Sequence, residues 1–442
     1  MTHRAGLKTV AGMAQTAPRP LPPSLYARTA APAPDTPPLP GDTSTDVAII
    51  GGGFTGLSTA LHLAERGIPT TVLEAHEPGW GASGRNGGQV NPGLKHAPDA
   101  VEARFGPDLG RRMVAFSHAA PDYVFELVRR HQIRCEARQD GTLRVATSPA
   151  AAAELRLLHR ACLDRGMPVR LLEGAALQEA VGTAFYPLGF LDPRGGHLNP
   201  LGYARGLARA AQALGARVHG GTPATALRRE ADGWRVETPQ GVVRARQVLL
   251  ATNGYSGGLW PGLAESIVPV FSAIRATEPL PPEVAAGIVP FRGAVFETGR
   301  ITVYYRMDEA GRLLMGGRGP QRELADPERL DYLMRHAGRL WPQLRGARWA
   351  EGWNGQLAVT PDHYPHVHAP APGLLCCLGY NGRGVALASH MGRLLAARLA
   401  EGEAAAFDMP VLPLKPMPLH RFWRLGVWAE VWRGRLLGRL GL

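Results

Sequence analysis

Asp46-Val-Ala-Ile-Ile-Gly51-Gly-Gly53-Phe-Thr-Gly56 constrains this chain more than any other segment. An apolar run passes directly into Gly-x-Gly-x-x-Gly. A helical pattern follows (Leu57, Ala60, Leu61, Leu63, Ala64), then a second apolar run ending in an acid, Thr70-Thr-Val-Leu-Glu74. Strand, glycine turn, helix, strand and acid in register predict a dinucleotide site. Gly51 permits the tight turn, Gly53 lets backbone approach a pyrophosphate, and Gly56 lets helix and strand pack closely. Phe54 and Thr55 start the helix, whose free N–H groups and partial positive charge favour an anion. Glu74, with Ala75 behind it, is placed to accept the ribose hydroxyls. The motif alone leaves NAD and FAD both open.

A second glycine-rich run, Gly79-Trp-Gly81-Ala82-Ser83-Gly-Arg85-Asn86-Gly87-Gly88-Gln89, starts just past that acid. So many glycines exclude a regular element. Successive backbone N–H groups suit a nest that wraps a phosphate or lies against a flat ring.

The rest alternates between two characters. Helical periodicity covers 108–131 and 151–166, with a strand expected at Gly141–Ala146. A helix is expected over 201–214, then a hairpin around Trp234–Glu237 and Val242–Arg244. The apolar run Gln247–Leu250 ends in Ala251-Thr252-Asn253-Gly254, a return to the nucleotide-binding sheet. Ile267–Ala276 and a hairpin of Ile301–Arg306 with Arg312–Gly316 form another excursion. Gly379-Tyr380-Asn381-Gly382-Arg383-Gly384 then follows an apolar strand and starts a helix at Val385, a second glycine turn at a helix N-terminus.

Composition narrows the class. The chain has 442 residues, 45% hydrophobic and 19% charged, as an ordinary soluble globular protein has. A net charge of +12 would suggest nucleic acid or an anionic membrane. The charge is nearly all arginine, however; lysine occurs only at Lys8, Lys95 and Lys415. Such a bias fits GC-rich coding, so no nucleic-acid partner is expected. Cys135, Cys162, Cys376 and Cys377 make no Cys-x-x-Cys and read as core thiols of a reducing compartment. No apolar stretch reaches 18 residues, and the N-terminus lacks a secretory core, which together predict a cytoplasmic protein.

Taken together, these motifs resemble the D-amino-acid-oxidase-like FAD-dependent oxidoreductases, and within them the γ-glutamylputrescine oxidase branch. The resemblance rests on Pro23-Ser-Leu-Tyr26, Leu61-His-Leu-Ala-Glu-Arg-Gly67, the Gly79–Gln89 run, Ala276-Thr-Glu-Pro-Leu280, Tyr304-Tyr-Arg306 with Gly316-Gly-Arg318, and the Gly379 turn. It implies an α/β (overall α+β) architecture: a Rossmann-like FAD-binding domain interleaved with a mostly antiparallel β substrate domain, plus a helical C-terminal tail. The expected division is a Pro/Ala-rich arm at 1–44, extended rather than helical over 17–40. FAD-binding segments follow at 45–92, 195–261 and 351–410, substrate segments at 93–194 and 262–350, and a basic aromatic tail at 411–442.

The resemblance also implies roles. Ser83 to Gln89 line pyrophosphate and flavin, Ala224 touches the adenine side, and Gly379 to Val385 address the flavin's pyrimidine edge. Arg383 stands where a histidine is common. Some relatives attach flavin to a cysteine just before Thr-x-Asp-x-x-Pro; here Gln356 and Leu357 precede Thr360-Pro-Asp362-His-Tyr-Pro365, so FAD is expected to be non-covalent.

Lys95, just past the nest, is expected to assist oxygen reduction. Arg306 is a candidate for a substrate carboxylate. Tyr304 and Tyr305 alternate faces, so at most one faces the pocket; Tyr305 is taken as that one. His363, His366 and His368 are read without a metal.

The implied chemistry is hydride transfer from the C–H beside an amine to flavin, then hydrolysis of the imine to aldehyde and ammonia, with dioxygen reduced to peroxide. Two other functions stay open. In Leu419–Leu442, Arg421, Arg424, Arg435 and Arg439 fall on one helical face among Phe422, Trp423, Trp428 and Trp432. That face could lie on the inner membrane surface, which would suit a quinone-linked dehydrogenase. An RNA-directed flavoenzyme is the third.

Overall fold

The structure is a computed structural model describing residues 18–299, 302–324 and 327–427. Two eight-stranded sheets organise it.

The first sheet grows from Thr43–Ile50, which pairs in parallel with Thr70–Leu73 on one side and Gly241–Leu250 on the other. Arg217–His219 extends it in parallel beyond Thr70–Leu73, and Leu374–Leu378 beyond Gly241–Leu250. The edge strand His366–Ala371 and the hairpin Ala226–Glu230/Gly233–Thr238 are antiparallel. Val47 and Ile49 point into a core built with the helices Phe54–Ala64, Pro200–Ala213 and Gly384–Glu401, while Ala48 and Ile50 point into a core on the other face. Strands covered on both faces read as unbroken apolar runs, which is why Val-Ala-Ile-Ile and Leu-Leu-Cys-Cys-Leu carry no alternation. Cys376 and Cys377 face opposite cores, and all four cysteines are buried and unpaired. Burial pushes the Cys377 thiol up to about 12, so it stays protonated.

The second sheet runs in the order Trp349–Val359, Val268–Thr277, Leu313–Arg318, Tyr304–Met307, Ala294–Thr298, Thr142–Ala146, Gly189–Asp192, Arg170–Leu172. Its pairs are antiparallel except Ala294–Thr298 with Thr142–Ala146. A two-stranded ribbon, Gln89–Val90 with Gly196–His197, lies at the exit from the nest.

Three boundaries differ from the sequence reading. Trp349–Val359 belongs to the second sheet, paired along its length with Val268–Thr277, so the return to the first sheet begins at His366 rather than at 351. The helix Pro98–Arg130, broken at Gly106 (φ +80°) before Pro107, buries Met113, Phe116 and Val124 in the core under the first sheet, although its neighbour strand Thr142–Ala146 is in the second. The arm is not wholly extended: Ser24 caps a turn of helix, Leu25–Thr29, whose Leu25 and Tyr26 are buried.

Past residue 410 the chain is pinned by Leu412 N–H to Val367 O and Met417 N–H to Glu265 O. Of the tail residues invoked for a membrane face, Trp428, Trp432, Arg435 and Arg439 lie outside the described residues. Among the described residues, no helix is long and apolar enough to cross a membrane.

The helices Phe54–Ala64 and Gly384–Glu401 touch through Gly392, where a Cβ would stand 2.5 Å from Ser58 Cβ and 2.8 Å from the Thr59 nitrogen. Gly392→Val should therefore destabilise the flavin-loaded protein by about 1–3 kcal/mol through overpacking. A urea unfolding midpoint equal to that of the parent would contradict this packing.

Candidate active site between the two sheets

The Gly51–Gly56 turn is shaped by close approach. Gly51 has φ +111°, its N–H donates to Leu73 O at 2.9 Å, and a Cβ there would stand 2.7 Å from Ala251 O. A Cβ on Gly56 would come within 2.0 Å of Gly51 O. Gly53 is the N-cap of Phe54–Ala64 and offers no side chain to it, so the first-turn N–H groups remain for an anion. Ser83 Oγ accepts one of them, from Phe54, at 3.0 Å.

Glu74 ends the neighbouring strand. Its carboxylate accepts Gly52 N–H at 2.7 Å and His76 N–H at 3.0 Å, with further lone pairs free for hydroxyl donors. Burial pushes its pKa up, and the backbone donors, Ala75 N–H among them, pull it back. Thr222 N–H donates to Glu74 O, placing Ala224 two residues beyond the same corner. A glycine-lined cradle, an open helix N-terminus and a fixed acid fit the adenosine diphosphate half of a flavin dinucleotide.

The nest is tied to this turn by Gly79 N–H to Gly52 O at 2.9 Å. Gly81 lies against the Tyr255 ring, and Ala82–Gly84 form one 3-10 turn. Asn86 holds the curve: its Nδ2 donates to Ala82 O and Ser83 O, and its Oδ1 accepts Gly88 N–H at 2.8 Å. Gln89 reaches the second sheet, donating to Val295 O at 2.8 Å.

Arg85 departs from its expected cofactor role. Its Nε donates to Trp80 O at 2.7 Å and its guanidinium stacks 4.1 Å from the Trp80 ring, so the side chain braces the nest from inside.

The second glycine turn is held by side-chain amides. Asn253 Oδ1 accepts Gly379 N–H at 2.9 Å, and Asn381 Oδ1 accepts Thr360 N–H at 2.9 Å. Ala251 continues the sheet through Ile50 O, and the Thr252 hydroxyl is bonded to that of Ser256. The Tyr380 hydroxyl is buried between Thr55 Oγ1 (2.6 Å) and Cys377 Sγ (3.1 Å), linking the two glycine turns; both the Tyr380 and Thr55 side chains are used in packing. Gly382 (φ +83°) has open space where a Cβ would be. Gly384 and Val385 start a helix without a side-chain cap, a second uncapped N-terminus near where a flavin edge is expected.

Two of the three expected catalytic residues face elsewhere. Arg306 is 1% exposed; it donates to Gly87 O at 3.0 Å and Leu198 O at 3.2 Å, under the nest rather than in a cavity. Tyr305 is fully buried against Trp341, its hydroxyl on Tyr186. Its neighbour Tyr304 faces the nest, so close that a Cβ on Gly87 would stand 2.5 Å from its ring. A strand exchanges faces with a one-residue shift, and the sequence did not fix which tyrosine pointed inward.

Lys95 does line a cavity, of 240 Å³, together with Arg144, Glu154, Phe296, His118 and Arg383. Arg383 donates to Pro92 O at 2.8 Å, and its guanidinium carbon lies 5.7 Å from the Phe296 ring centre. Arg144 approaches the same ring at 5.1 Å. Arg144 and Phe296 were missed. The signal was one arginine in the apolar strand Thr-Leu-Arg-Val-Ala, on the face opposite Leu143 and Val145. The three loop histidines go to separate partners: His366 to Asp362, His368 to Leu412 O, and His363 beside Asn381.

Because Arg306 holds the nest from beneath, Arg306→Met should strip flavin from the protein. The loss of charge-assisted bonds worth about 1.5–3 kcal/mol each corresponds to a rise of at least about tenfold in the flavin dissociation constant. Flavin retained after dialysis measures it; full retention would return Arg306 to a role in substrate binding.

A family model described as FAD dependent oxidoreductase (DAO) matches residues 46–398. The chain is 33% identical over 384 residues to γ-glutamylputrescine oxidoreductase of Escherichia coli K12, covering 86% of this chain and 89% of that one. It is also 33% identical over 393 residues to a probable oxidoreductase, OrdL, of Rhizobium meliloti, covering 87% and 90%. The crystal structure of glycine oxidase from Geobacillus kaustophilus superposes with a TM-score of 0.70 at 24% identity, over 85% of this chain and 99% of that one, and shares the fold. A cradle for a flavin dinucleotide, a cavity beside its second glycine turn and a match across most of the sequence lead to one assignment: the chain belongs to the DAO family of FAD-dependent oxidoreductases.

Proposed function

We propose that this enzyme oxidises a primary or secondary amine of the γ-glutamylputrescine kind, with dioxygen as the electron acceptor and hydrogen peroxide as a product. When bound, FAD supplies the two-electron acceptor for a hydride from the carbon beside the amine. The substrate leaves as an imine, which water hydrolyses to an aldehyde and ammonia when the amine is primary, or to an aldehyde and a primary amine when it is secondary. The reading is supported by the similarity to the E. coli γ-glutamylputrescine oxidoreductase. The observation that carries it is the position of the 240 Å³ cavity, walled by Arg383 at the second glycine turn and Phe296 on the second sheet. Its volume falls just below the usual range of about 300–1,000 Å³ for small-molecule sites, so it holds a small substrate.

The cavity also supplies the protonation state the chemistry needs. An amine gives up hydride only when neutral, since the nitrogen lone pair stabilises the developing cation. Lys95, Arg144 and Arg383 surround the space with positive charge. Their effect is visible on one another: the Lys95 ammonium is pushed down by burial and then by Arg383 and Arg144, and Arg383 falls to about 9 by burial and then Arg144. A substrate ammonium entering the same field loses its proton more readily. These cations also favour the negative charge that develops on dioxygen as it is reduced. Attachment of FAD is proposed to be non-covalent: the four cysteines are buried, and Gln356 is bonded to Gly254 O.

γ-Glutamylputrescine added anaerobically to the flavin-loaded enzyme should bleach the flavin bands within the mixing time of a stopped-flow experiment or over seconds. Readmitted air should restore the colour and yield about one peroxide per flavin. Flavin that stays oxidised would exclude this substrate. Flavin that bleaches but recovers only with a quinone would replace the oxidase by a dehydrogenase.

A further inference from the structure

The family model begins at residue 46, and the arm before it, described from Pro18 onward, lies outside that match. The arm leaves and returns to one place. A Cβ on Gly221 would stand 3.2 Å from Pro18 Cγ and 3.7 Å from Pro38 Cγ, so both ends of the arm meet over that glycine. Gly221 lies at the corner built around Glu74. Its N–H donates to His76 O, and the N–H of the next residue, Thr222, donates to Glu74 O at 2.8 Å. His76 N–H in turn holds the Glu74 carboxylate at 3.0 Å. The arm therefore closes a loop at the corner that carries the acid placed for the ribose.

The loop is fastened unevenly. From Ser24 onward its anchors are largely buried. Leu25 and Tyr26 pack with Leu201, Ile274 and Trp353. Arg205 donates to Ala31 O at 2.8 Å, Gly220 N–H to Thr36 O at 3.1 Å, and Leu39 N–H to Thr222 Oγ1 at 3.0 Å. Pro18, Arg19 and Pro20, by contrast, are exposed. Arg19 N–H donates to His76 Nδ1 at 3.0 Å, and the Trp80 indole N–H donates to Pro20 O at 2.9 Å. Burial, and then the charges of Arg19 and Arg85, hold His76 down at about 4, so its ring is neutral and able to accept. The Arg19 guanidinium pairs with Glu323 at 2.6 Å. Glu323 follows Leu313–Arg318 of the second sheet, so this pair ties the end of the arm across to the other half of the molecule. Both partners are half in water, 41% and 53% exposed, where an ion pair is weak and easily opened. Pro20, Pro22 and Pro23 fix φ between the weakly held end and Ser24, so the end lifts as a stiff piece.

We propose that Pro18–Pro20 is a strap across the adenosine end of the cradle, held shut by Arg19, Trp80 and Glu323, which must lift for FAD to enter or leave. This rests on the dinucleotide site at Gly51–Glu74 and not on the identity of the substrate. Arg19 and Glu323 are positioning residues, bonded to His76 and to each other rather than to the ribose acid. Every tie of the strap joins two protein groups, so the ties are made with the cradle filled or empty. Loosening them therefore speeds FAD binding and FAD release together and leaves the dissociation constant nearly unchanged. Loss of a direct cofactor contact would instead speed release alone and raise the constant.

Two rates test the strap without turnover. Exchange of bound FAD for labelled FAD gives the release rate, and the change in FAD fluorescence on mixing with flavin-free protein gives the binding rate. Glu323→Gln and Arg19→Met remove one exposed pair and disturb no core, so each should raise both rates by about two- to fivefold. The double variant should do no more than either alone, because the two side chains make one bond. A chain begun at Leu21 keeps Ser24 and its helix, loses all the ties of the strap, and should raise both rates by about tenfold or more. Unchanged rates in that shortened chain would overturn the strap. Unchanged rates in both point variants would overturn its fastening by the Arg19–Glu323 pair. Faster release with an unchanged binding rate would overturn gating in favour of direct cofactor contact. None of these results depends on an amine being oxidised, so failure of the strap leaves the amine-oxidase reading standing, whereas a protein that binds no FAD would overturn both.

Discussion

The approach of Gly51 to Ala251 and of Gly56 to Gly51 O is the constraint on which the rest depends. Neither position has room for a single carbon. With those atoms absent, three parallel strands, Thr70–Leu73, Thr43–Ile50 and Gly241–Leu250, end at one level, and the helix Phe54–Ala64 starts against them with no side-chain cap from its own N-cap residue, Gly53. Glu74 and the nest are then fixed by short bonds to the same turn, through Gly52 N–H and Gly52 O. The second glycine turn is carried there by the parallel pairing of Leu374–Leu378 with Gly241–Leu250, and is joined to the first through Thr55 and Tyr380. One local steric condition thus brings both glycine turns to the same edge of the first sheet.

The second sheet meets that frame through an apolar cluster, with Leu201 against Ile274, Leu314 and Trp353, and through a few polar bonds. Arg306 bonds the Gly87 carbonyl from below, the Trp353 indole N–H donates to Arg85 O, and Gln89 crosses to Val295 O. Such bonds are strong where they are buried and expensive to lose, so they fix the spacing between the sheets. That spacing leaves the Phe296 cavity next to Arg383. The cation-rich wall follows from strand register on one side and a helix start on the other, and it gives this site its chemical character.

Local signals were legible in the sequence, whereas signals that depend on distant partners were not. Gly51, Gly53, Gly56 and Glu74 lie within one strand–helix–strand unit, so their spacing alone placed them. The apolar run at Leu374–Leu378 was readable as a buried strand for the same reason. Tyr305 was misplaced because a strand's period is two, and only pairing with Leu313–Arg318 decides which side faces the nest; Arg306 does face the nest, but its bonds to the distant carbonyls Gly87 O and Leu198 O carry no mark in the sequence. Arg85 was assigned to the cofactor because nothing nearby in sequence reveals that Trp353 would bond its carbonyl, that Gly355 would lie against its Cβ, or that its guanidinium would stack on Trp80. Trp349–Val359 looked like the return to the nucleotide sheet, since a strand carries no mark of which sheet it joins. Arg144 was visible as a lone charge in an apolar strand, but its meaning came only from Phe296 and Arg383.

The central proposal is that FAD, when bound, would place its ring between the second glycine turn and the second sheet, beside the Phe296 cavity. A crystal structure of the flavin-loaded enzyme tests it most directly. The account predicts the pyrophosphate at the N-terminus of Phe54–Ala64, the adenosine ribose on Glu74 and the ring beside Gly379–Arg383, facing the Phe296 cavity. A ring bound away from the Gly379 turn, or a cavity separated from the ring by protein, would contradict it.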